Sequence, residues 1–526
     1  MSHEIRIVLK GGILLALFSY INILLRIIVS IIIVSYLGPE LYGIRGILLG
    51  AQSLIYAQVF SLITTPFTRE LSARRSLDSR SEYDIVFTTV FITIIGLSFL
   101  LFLIYEIVGF LYFAYYLNYQ NIELLLLIAG SMIPIQTFQV FVNEVLRSEL
   151  RYLRLAVLAN FRTLIDSFLI ILIALIGKIT LENVFFINLV SSSISACLAS
   201  IFLIRIMRIN KVRFKFSVSY FRKFLSYMTR YGLGSFLNQT FYNLDSFILP
   251  HFLGLKFIGY YYFGKSLLKF FLNGIRNVKS LFLPFYSHKL ATDEDKVRKY
   301  VVVSLSFSIF VINIIVLPFV AFSKQILIII SLLIKEFDKY LASYWVVSAI
   351  VIYTILLIFQ HDIVIYSDSK GKFQRHIFAN FIALVTYLTL IEFYTMLNLK
   401  LPEYFIAVLL VIFLNAGLFS KNIYWSYIAK KEKIMFPWRR IFIVELILIS
   451  LSFLILVFNN IYVQNVWDII EVCLLLIAYS ITLLLLQLLL KVIRADQIML
   501  IENLVRKKTL KKLIRVLLKL AIKLAK

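Results

Sequence analysis

Sulfur and imidazole are scarce in this sequence. Its two cysteines, Cys197 and Cys473, each lie inside an apolar run, so neither a disulfide framework nor a cysteine metal site is expected. The five histidines, His3, His251, His288, His361 and His376, lack metal-ligand spacing, and no metal or other cofactor is expected. Charge is thin as well: 16% of the 526 residues are charged and 61% hydrophobic, far more apolar than a globular chain. Acids are outnumbered by bases, 28 to 54. No stretch is polar enough to form a soluble domain.

What fills the chain is a succession of apolar runs, each of about 20 residues, the length needed to cross a hydrocarbon core of ~30 Å. Fourteen are read, at 12–36, 44–64, 85–105, 122–144, 155–176, 184–204, 231–252, 258–282, 301–322, 342–366, 377–397, 403–424, 441–459 and 467–490. The first is too long for a signal-peptide core and has no small-residue cleavage site after it, so it is expected to be retained, with the mature chain starting near Met1. With the N-terminus inside, alternate segments collect nearly all the lysine and arginine, as in "RELSARRSLDSR" (69–80) and "RIMRINKVRFKFSVSYFRK" (205–223). The outer loops are short and poor in cations. That asymmetry sets both termini in the cytoplasm of a multi-pass cell-membrane protein, and it assigns the net charge of +26 to inner loops rather than to nucleic acid.

One internal repeat is legible. "SYIN" (Ser19–Asn22) precedes "LGPELYG" (Leu37–Gly43) by the same spacing with which "SFLN" (Ser235–Asn238) precedes "LGLKFIG" (Leu253–Gly259), both at an offset of 216. Six spans separate the copies, and an even number leaves both copies entering the membrane from the same side. The expected fold is therefore an all-α polytopic membrane protein of about 14 transmembrane helices: two parallel-repeat six-helix bundles, 1–210 and 211–430, an extra helix pair at 431–490, and a basic tail at 491–526. Two such halves suggest a transporter that opens alternately to either side, with its site at mid-membrane.

Ionisable residues inside apolar runs point to function, because a cation at a helix centre costs about 2.5–3.5 kcal/mol on insertion scales. In "GKSLLKFFLNGIRNVKS", Gly264–Ser280, the cations Lys265, Lys269, Arg276 and Lys279 bear roughly 0°, 40°, 20° and −40° around a helix, one narrow stripe. Lys265 and Lys279 are near span ends, where snorkelling is an equal alternative. Lys269 and Arg276 are expected to line a hydrated cavity that neutralises an anionic headgroup. Asn22, Arg26 and Ser30 form a second stripe, with Arg26 midway along the first span. Asp245 is open to three readings: pairing with Arg26, pairing with a cation of the Lys265 stripe, or carrying a coupling proton. Arg162 and Asp166, at i and i+4, are read as an ion pair, with coupling as the alternative. Gln136, Gln139, Asn143 and Arg147 form a further polar row, as cavity wall or interhelical bonding, and His361 with Asp362 is a weak proton-relay candidate.

Two patterns have simpler readings. "GYYYFGKS" (Gly259–Ser266) satisfies the P-loop expression, yet its loop positions are aromatic and it opens an apolar helix. Nucleotide binding is not expected there. The tail places Lys508, Lys512, Arg515, Lys519, Lys523 and Lys526 along one helical face and aliphatic residues along another, which suits a helix lying on the inner leaflet against membrane lipids.

The "LGPELYG" motif, Pro66 with the basic loop after it, and "LDSFILPHFLGLKFIGYYYFGKSL…LFLPFYSHKLATDEDK" in the second half resemble the polysaccharide flippases (Wzx-type oligosaccharide flippase family) of the multidrug/oligosaccharidyl-lipid/polysaccharide exporter superfamily. The resemblance implies two six-helix bundles arranged as a V. It implies movement of a polyprenyl- or dolichyl-linked oligosaccharide to the outer leaflet, with H+ or Na+ as a coupling ion. Fourteen spans are also similar to the lipid II flippase branch, in which the extra pair shapes a groove for a lipid tail. An ion-coupled multidrug exporter of the same superfamily is the alternative, although cationic drugs would call for carboxylates and the intramembrane balance here is cationic. An enzyme acting on lipid-linked sugars would need acids in an outer loop, where the first loop offers Glu40 alone. On these grounds Lys269→Ala, at normal membrane levels, is expected to abolish surface glycan in a complementation assay. Undiminished glycan would remove Lys269 from the cavity.

Overall fold

The computed structural model describes residues 3–76, 80–117, 119, 122–149, 151–177, 179–279, 286, 293–372, 374–459, 461, 463–493, 497 and 516. Among them there is helix and no strand, as lipid requires of a chain that does not close into a barrel: each helix satisfies its own backbone hydrogen bonds. The fifteen described α-helices are numbered α1 to α15 as they are introduced; the expected segment 231–252 is divided between two of them, and residues 280–282 of the next lie outside the described residues. Eleven helices are long and apolar enough to cross a membrane among the described residues.

The chain divides into two compact units. The first comprises Met1–Tyr262 with Phe373–Leu384, the second Phe263–Lys372 with Val385–Lys526. Unit one begins with α1 (His3–Ser76), a run of 74 residues interrupted at Gly38 (φ 70°, ψ 173°). Only glycine adopts that conformation cheaply, and the following Pro39 favours an extended residue before it. The first two expected segments are thereby two arms of one element.

α2 (Arg80–Gly109), α3 (Glu123–Ser148), α4 (Tyr152–Leu175), α5 (Leu181–Ile209) and α6 (Val218–Asn243) pack around α1 and one another. At one end their aromatic and aliphatic faces meet: Phe141 lies between Phe67 (ring centroids 5.1 Å), Phe87 (5.5 Å) and Phe91 (5.2 Å). Helix starts carry polar caps; Thr180 accepts from Asn183 N at 3.2 Å and Ser217 from Tyr220 N at 3.3 Å.

The two repeat motifs touch inside unit one. The short α7 (Asp245–Phe252) leads into α8 (Leu255–Lys279), whose start crosses the Gly38 bend. A Cβ on Gly43 would lie 2.4 Å from the Leu255 carbonyl oxygen, and one on Gly259 would lie 1.9 Å from that of Pro39. Each glycine faces the residue that matches, at the repeat offset, the one facing the other. Small residues are what allow two backbones so close.

In unit two, α11 (Tyr344–Ser369) is the central helix, apolar around its whole circumference and 72% buried over its most apolar stretch. It packs between α9 (Glu294–Ala321) and α13 (Glu403–Lys431). The short α10 (Ser323–Leu333) and a 3₁₀ segment, Lys335–Ser343, precede it, with Phe337 and Tyr340 packed on Phe263 (5.5 and 5.4 Å). α12 (Gln374–Leu397) divides between the units at Leu384. α14 (Trp438–Phe458) and α15 (Val466–Leu489) both pack on α9, and α15 is the peripheral helix, 11% buried. Beyond α11, Lys370 joins Glu294 and Glu432, and Lys372 reaches Glu432 at 2.8 Å. Burial works against the Lys370 ammonium, but its hydrogen bonds to the two glutamates outweigh that and hold it above the ordinary lysine range.

Neither backbone at the glycine crossing can yield as a flexible side chain would. Gly259→Ala is expected to destabilise the protein by about 1–3 kcal/mol through overpacking, whereas Gly96→Ala, with nothing within 4 Å, is expected to be neutral or slightly stabilising. Thermal melting in detergent followed by size exclusion checks this; equal midpoints for the two variants would exclude the crossing.

Candidate functional site: an arginine cluster in unit one

The polar stripe at the start of α1 meets α4. Asn22 is buried, and its amide donates to the side chain of Asn160, whose own amide donates to Ala156 O at 2.6 Å. One turn on, Arg26, an exposed residue, donates through Nη2 to Thr163 Oγ1 at 2.7 Å. Asn160 and Thr163 are three residues apart, so one face of α4 receives Asn22 and Arg26 in register.

The same helix supplies Arg162 and Asp166. With the Gln136 amide oriented so that its oxygen faces the guanidinium, Arg162 Nη1 and Nη2 donate to it at 3.1 and 3.3 Å. Among the described residues no ion pair joins Arg162 to Asp166. Asp166 instead accepts a long bond from Ser191 Oγ, 3.4 Å, and lies in the field of three cations, Arg162, Arg45 and Arg26. Arg162 also lies near Tyr56, and Arg45 stands over the Tyr42 ring at 5.5 Å.

Three arginines bear on one acid here, so bases outnumber acids three to one within segments able to span a membrane. At membrane depth such a surplus calls for water or an anion. α1 contributes from both arms, Arg26 before the Gly38 bend and Arg45 after it. The arrangement can hold an anionic group between guanidinium donors, each of which offers a planar fork suited to phosphate oxygens.

Other expected positions lie elsewhere. Asp245, buried at the start of α7, accepts from Tyr261 Oη at 2.6 Å, while Arg26 turns to Thr163. Lys265 is buried on α8 and falls in unit two. The side chains of Lys269, Arg276 and Lys279 lie outside the described residues, as does nearly all of the basic tail. Of the polar row on α3, Gln136 joins the cluster, Gln139 donates to Ser192 O at 2.6 Å, and Arg147 pairs with Glu144 at 2.9 Å. Asp362 is buried and accepts from Ser304 Oγ at 2.6 Å. "GYYYFGKS" is continuous helix, with Tyr260, Tyr261, Tyr262 and Phe263 all buried, so it forms no phosphate loop. Helical spacing along single segments did not single out Arg45, Thr163 or Asn160. Arg45 sits at the edge of an apolar run, where its charge reads as part of a loop.

An all-helical, multi-pass membrane protein with a cationic polar cluster inside its spans is the class that fold and site define. Residues 36–335, more than half of the chain, match a family described as polysaccharide biosynthesis protein, and the chain belongs to that family. A search of curated proteins finds no match. Among solved structures, the fold is that of transporters of the MOP superfamily. An inward-facing multidrug resistance MATE family transporter is similar with TM-score 0.65 at 15% identity, over 80% of this chain and 99% of that one. The lipid II flippase MurJ in an inward closed conformation gives 0.63 at 14%, over 90% and 97%. A MOP superfamily transporter from Pyrococcus furiosus, described as having a binding pocket of reverse polarity that suggests a different function, gives 0.56 at 13%, over 81% and 96%.

The exposed Arg26 is expected to be reachable from water. In a background with both exposed cysteines removed, Cys197→Ser and Cys473→Ser, an Arg26→Cys variant should react with a membrane-impermeant thiol reagent in at least one conformation. Protection in every state would seal the cluster.

Proposed function

We propose that the protein is a flippase that carries a lipid-linked oligosaccharide, on a polyprenyl or dolichyl phosphate or diphosphate, from the inner to the outer leaflet by alternating access. The observation that carries this reading is the surplus of guanidinium charge around Asp166. A phosphate dianion cannot enter a low-dielectric slab unpaired, and an excess of bases over acids at membrane depth matches that need. The family description supports a role in polysaccharide biosynthesis, and the fold is compatible with transport. Folds of this superfamily include one described as having reversed pocket polarity, which makes the sign of the pocket the feature that separates this reading from a multidrug exporter for cations.

The wider scheme has fourteen spans: two six-helix halves related by the repeat, and α14 with α15 as an added pair. The reciprocal contacts of Gly43 and Gly259 support the repeat. Lys265, Lys269 and Arg276 supply further cations from the second half. An ion gradient or the membrane potential drives the cycle, with Asp245 and Asp166 as candidate coupling groups. Both termini are cytoplasmic, and the basic tail rests on anionic lipids of the inner leaflet.

In proteoliposomes loaded with a lipid-diphosphate oligosaccharide, Arg26→Ala and Arg162→Ala are each expected to lower translocation about 10- to 100-fold, the worth of one charge-assisted contact of about 1.5–3 kcal/mol. Thr163→Val, which removes a neutral partner of Arg26, should cost less. Translocation unaffected by either arginine variant would refute the assignment of the cluster to the headgroup.

A further inference from the structure

Unit two holds a buried acid that the proposed function leaves unused. Glu445 of α14 is 3% exposed, and the side chains around it, Asn313 of α9 and Gln487 of α15, are each 0% exposed. Asn313 Nδ2 donates to Glu445 Oε1 at 2.7 Å and to Gln487 Oε1 at 3.2 Å. Because α14 and α15 both pack on α9, this one amide ties the two added helices to their support. Three buried atoms of the group have no hydrogen-bond partner: Glu445 Oε2, Asn313 Oδ1 and Gln487 Nε2.

A bare carboxylate in this place would have one neutral donor on one oxygen and none on the other, an arrangement that buried charges in proteins avoid. The amide of Asn313 and the carboxyl of Glu445 are already joined through one nitrogen and one oxygen; what stays unpartnered on each is an acceptor oxygen. Two acceptors need a hydrogen between them. A proton on Glu445 Oε2 would remove the bare charge and supply a donor to the pair, as a carboxylic acid facing a primary amide does. A metal cation suits the group less, because Gln487 Nε2 adds an unpartnered donor beside it.

We propose that Glu445 is a proton-binding site, loaded in the conformation seen here, in which the acid–amide pair with Asn313 latches α14 and α15 onto α9. Loss of the proton leaves a carboxylate that a single neutral donor cannot hold in that place, and the latch opens.

The ionisable groups of the three helices lie away from Glu445. On α15, Tyr479 bonds Ser452 Oγ at 2.8 Å, and Asp468 is spent on the capping box with Asn465; Glu471 and Cys473 lie in the first turns of that helix, more than three turns from Gln487. On α14, Arg440 Nη2 donates to Leu490 O at 2.7 Å, and Arg439 is exposed beside it at the helix start. On α9, Glu294, Asp295, Lys296, Arg298, Lys299 and Tyr300 occupy the opening turns, about 20 Å or more along the axis from Asn313 at 1.5 Å per residue. Among the described residues no cation pairs with Glu445.

Infrared spectroscopy of the full-length protein in lipid nanodiscs at neutral pH tests the proposal. The wild type is expected to show the carbonyl band of a protonated carboxyl, sensitive to deuterium exchange, and Glu445→Gln should lose it. If that variant removes carboxylate bands instead, or leaves the acid band in place, the proposal fails. Should Glu445→Gln not accumulate, treatment of the wild type with dicyclohexylcarbodiimide, which attacks protonated carboxyls in apolar surroundings, is read by peptide mass spectrometry. An adduct on Glu445 supports the site, and an unmodified Glu445 overturns it. Neither readout needs a transported substrate, so a failure here is separate from a failure of the flippase reading.

Discussion

A charged side chain at membrane depth must find water, a counter-charge or enough donors and acceptors to replace its hydration, and much of this protein's interior is arranged around that requirement. In unit one the requirement is met only in part. Arg26 and Arg162 are hydrogen-bonded to neutral partners, Thr163 and Gln136, which orient the guanidinium groups without cancelling their charge. One carboxylate, Asp166, answers three arginines. A fully paired cluster would be a structural element and nothing more; the uncancelled charge is what makes this one able to receive an anion.

In unit two the same requirement is met in a different way. Glu445 sits among amides, with no cation paired to it among the described residues, an environment that disfavours the bare carboxylate. The end of that unit beyond α11 shows a third solution, where Lys370 is shared by Glu294 and Glu432. Surplus charge suits ligand capture, withheld charge suits proton storage, and balanced charge suits fixed attachment; the three are distinct electrostatic states of one chain.

Helix positions were readable in advance because the bilayer sets one length and one polarity, and each apolar run declares itself without help from its neighbours. The two glycines of the matching motifs have a reason of the same local kind: Gly43 and Gly259 are held to glycine by a backbone approach that leaves no room for a Cβ. Partnership was harder to read. Arg162 and Asp166 stand at ion-pair spacing along α4, yet Arg162 turns to Gln136 of α3, because a side chain responds to the helix opposite it as much as to the next turn of its own. Arg45 was hidden by its position at the end of an apolar run, beyond the bend at Gly38, and its field bears on Asp166 together with that of Arg26 only in the folded chain.

The amino-acid order by itself determined that this is a polytopic helical membrane protein, where its apolar segments lie, and that cations occur inside them, since hydropathy and spacing are local properties that fix the cost of each residue in lipid. Which of those cations bear on one acid, and which acid is paired with no cation among the described residues, was decided by tertiary packing alone. Coulomb and hydrogen-bond energies depend on distances between helices, and those distances are set by how small residues such as Gly43 and Gly259 allow the helices to cross.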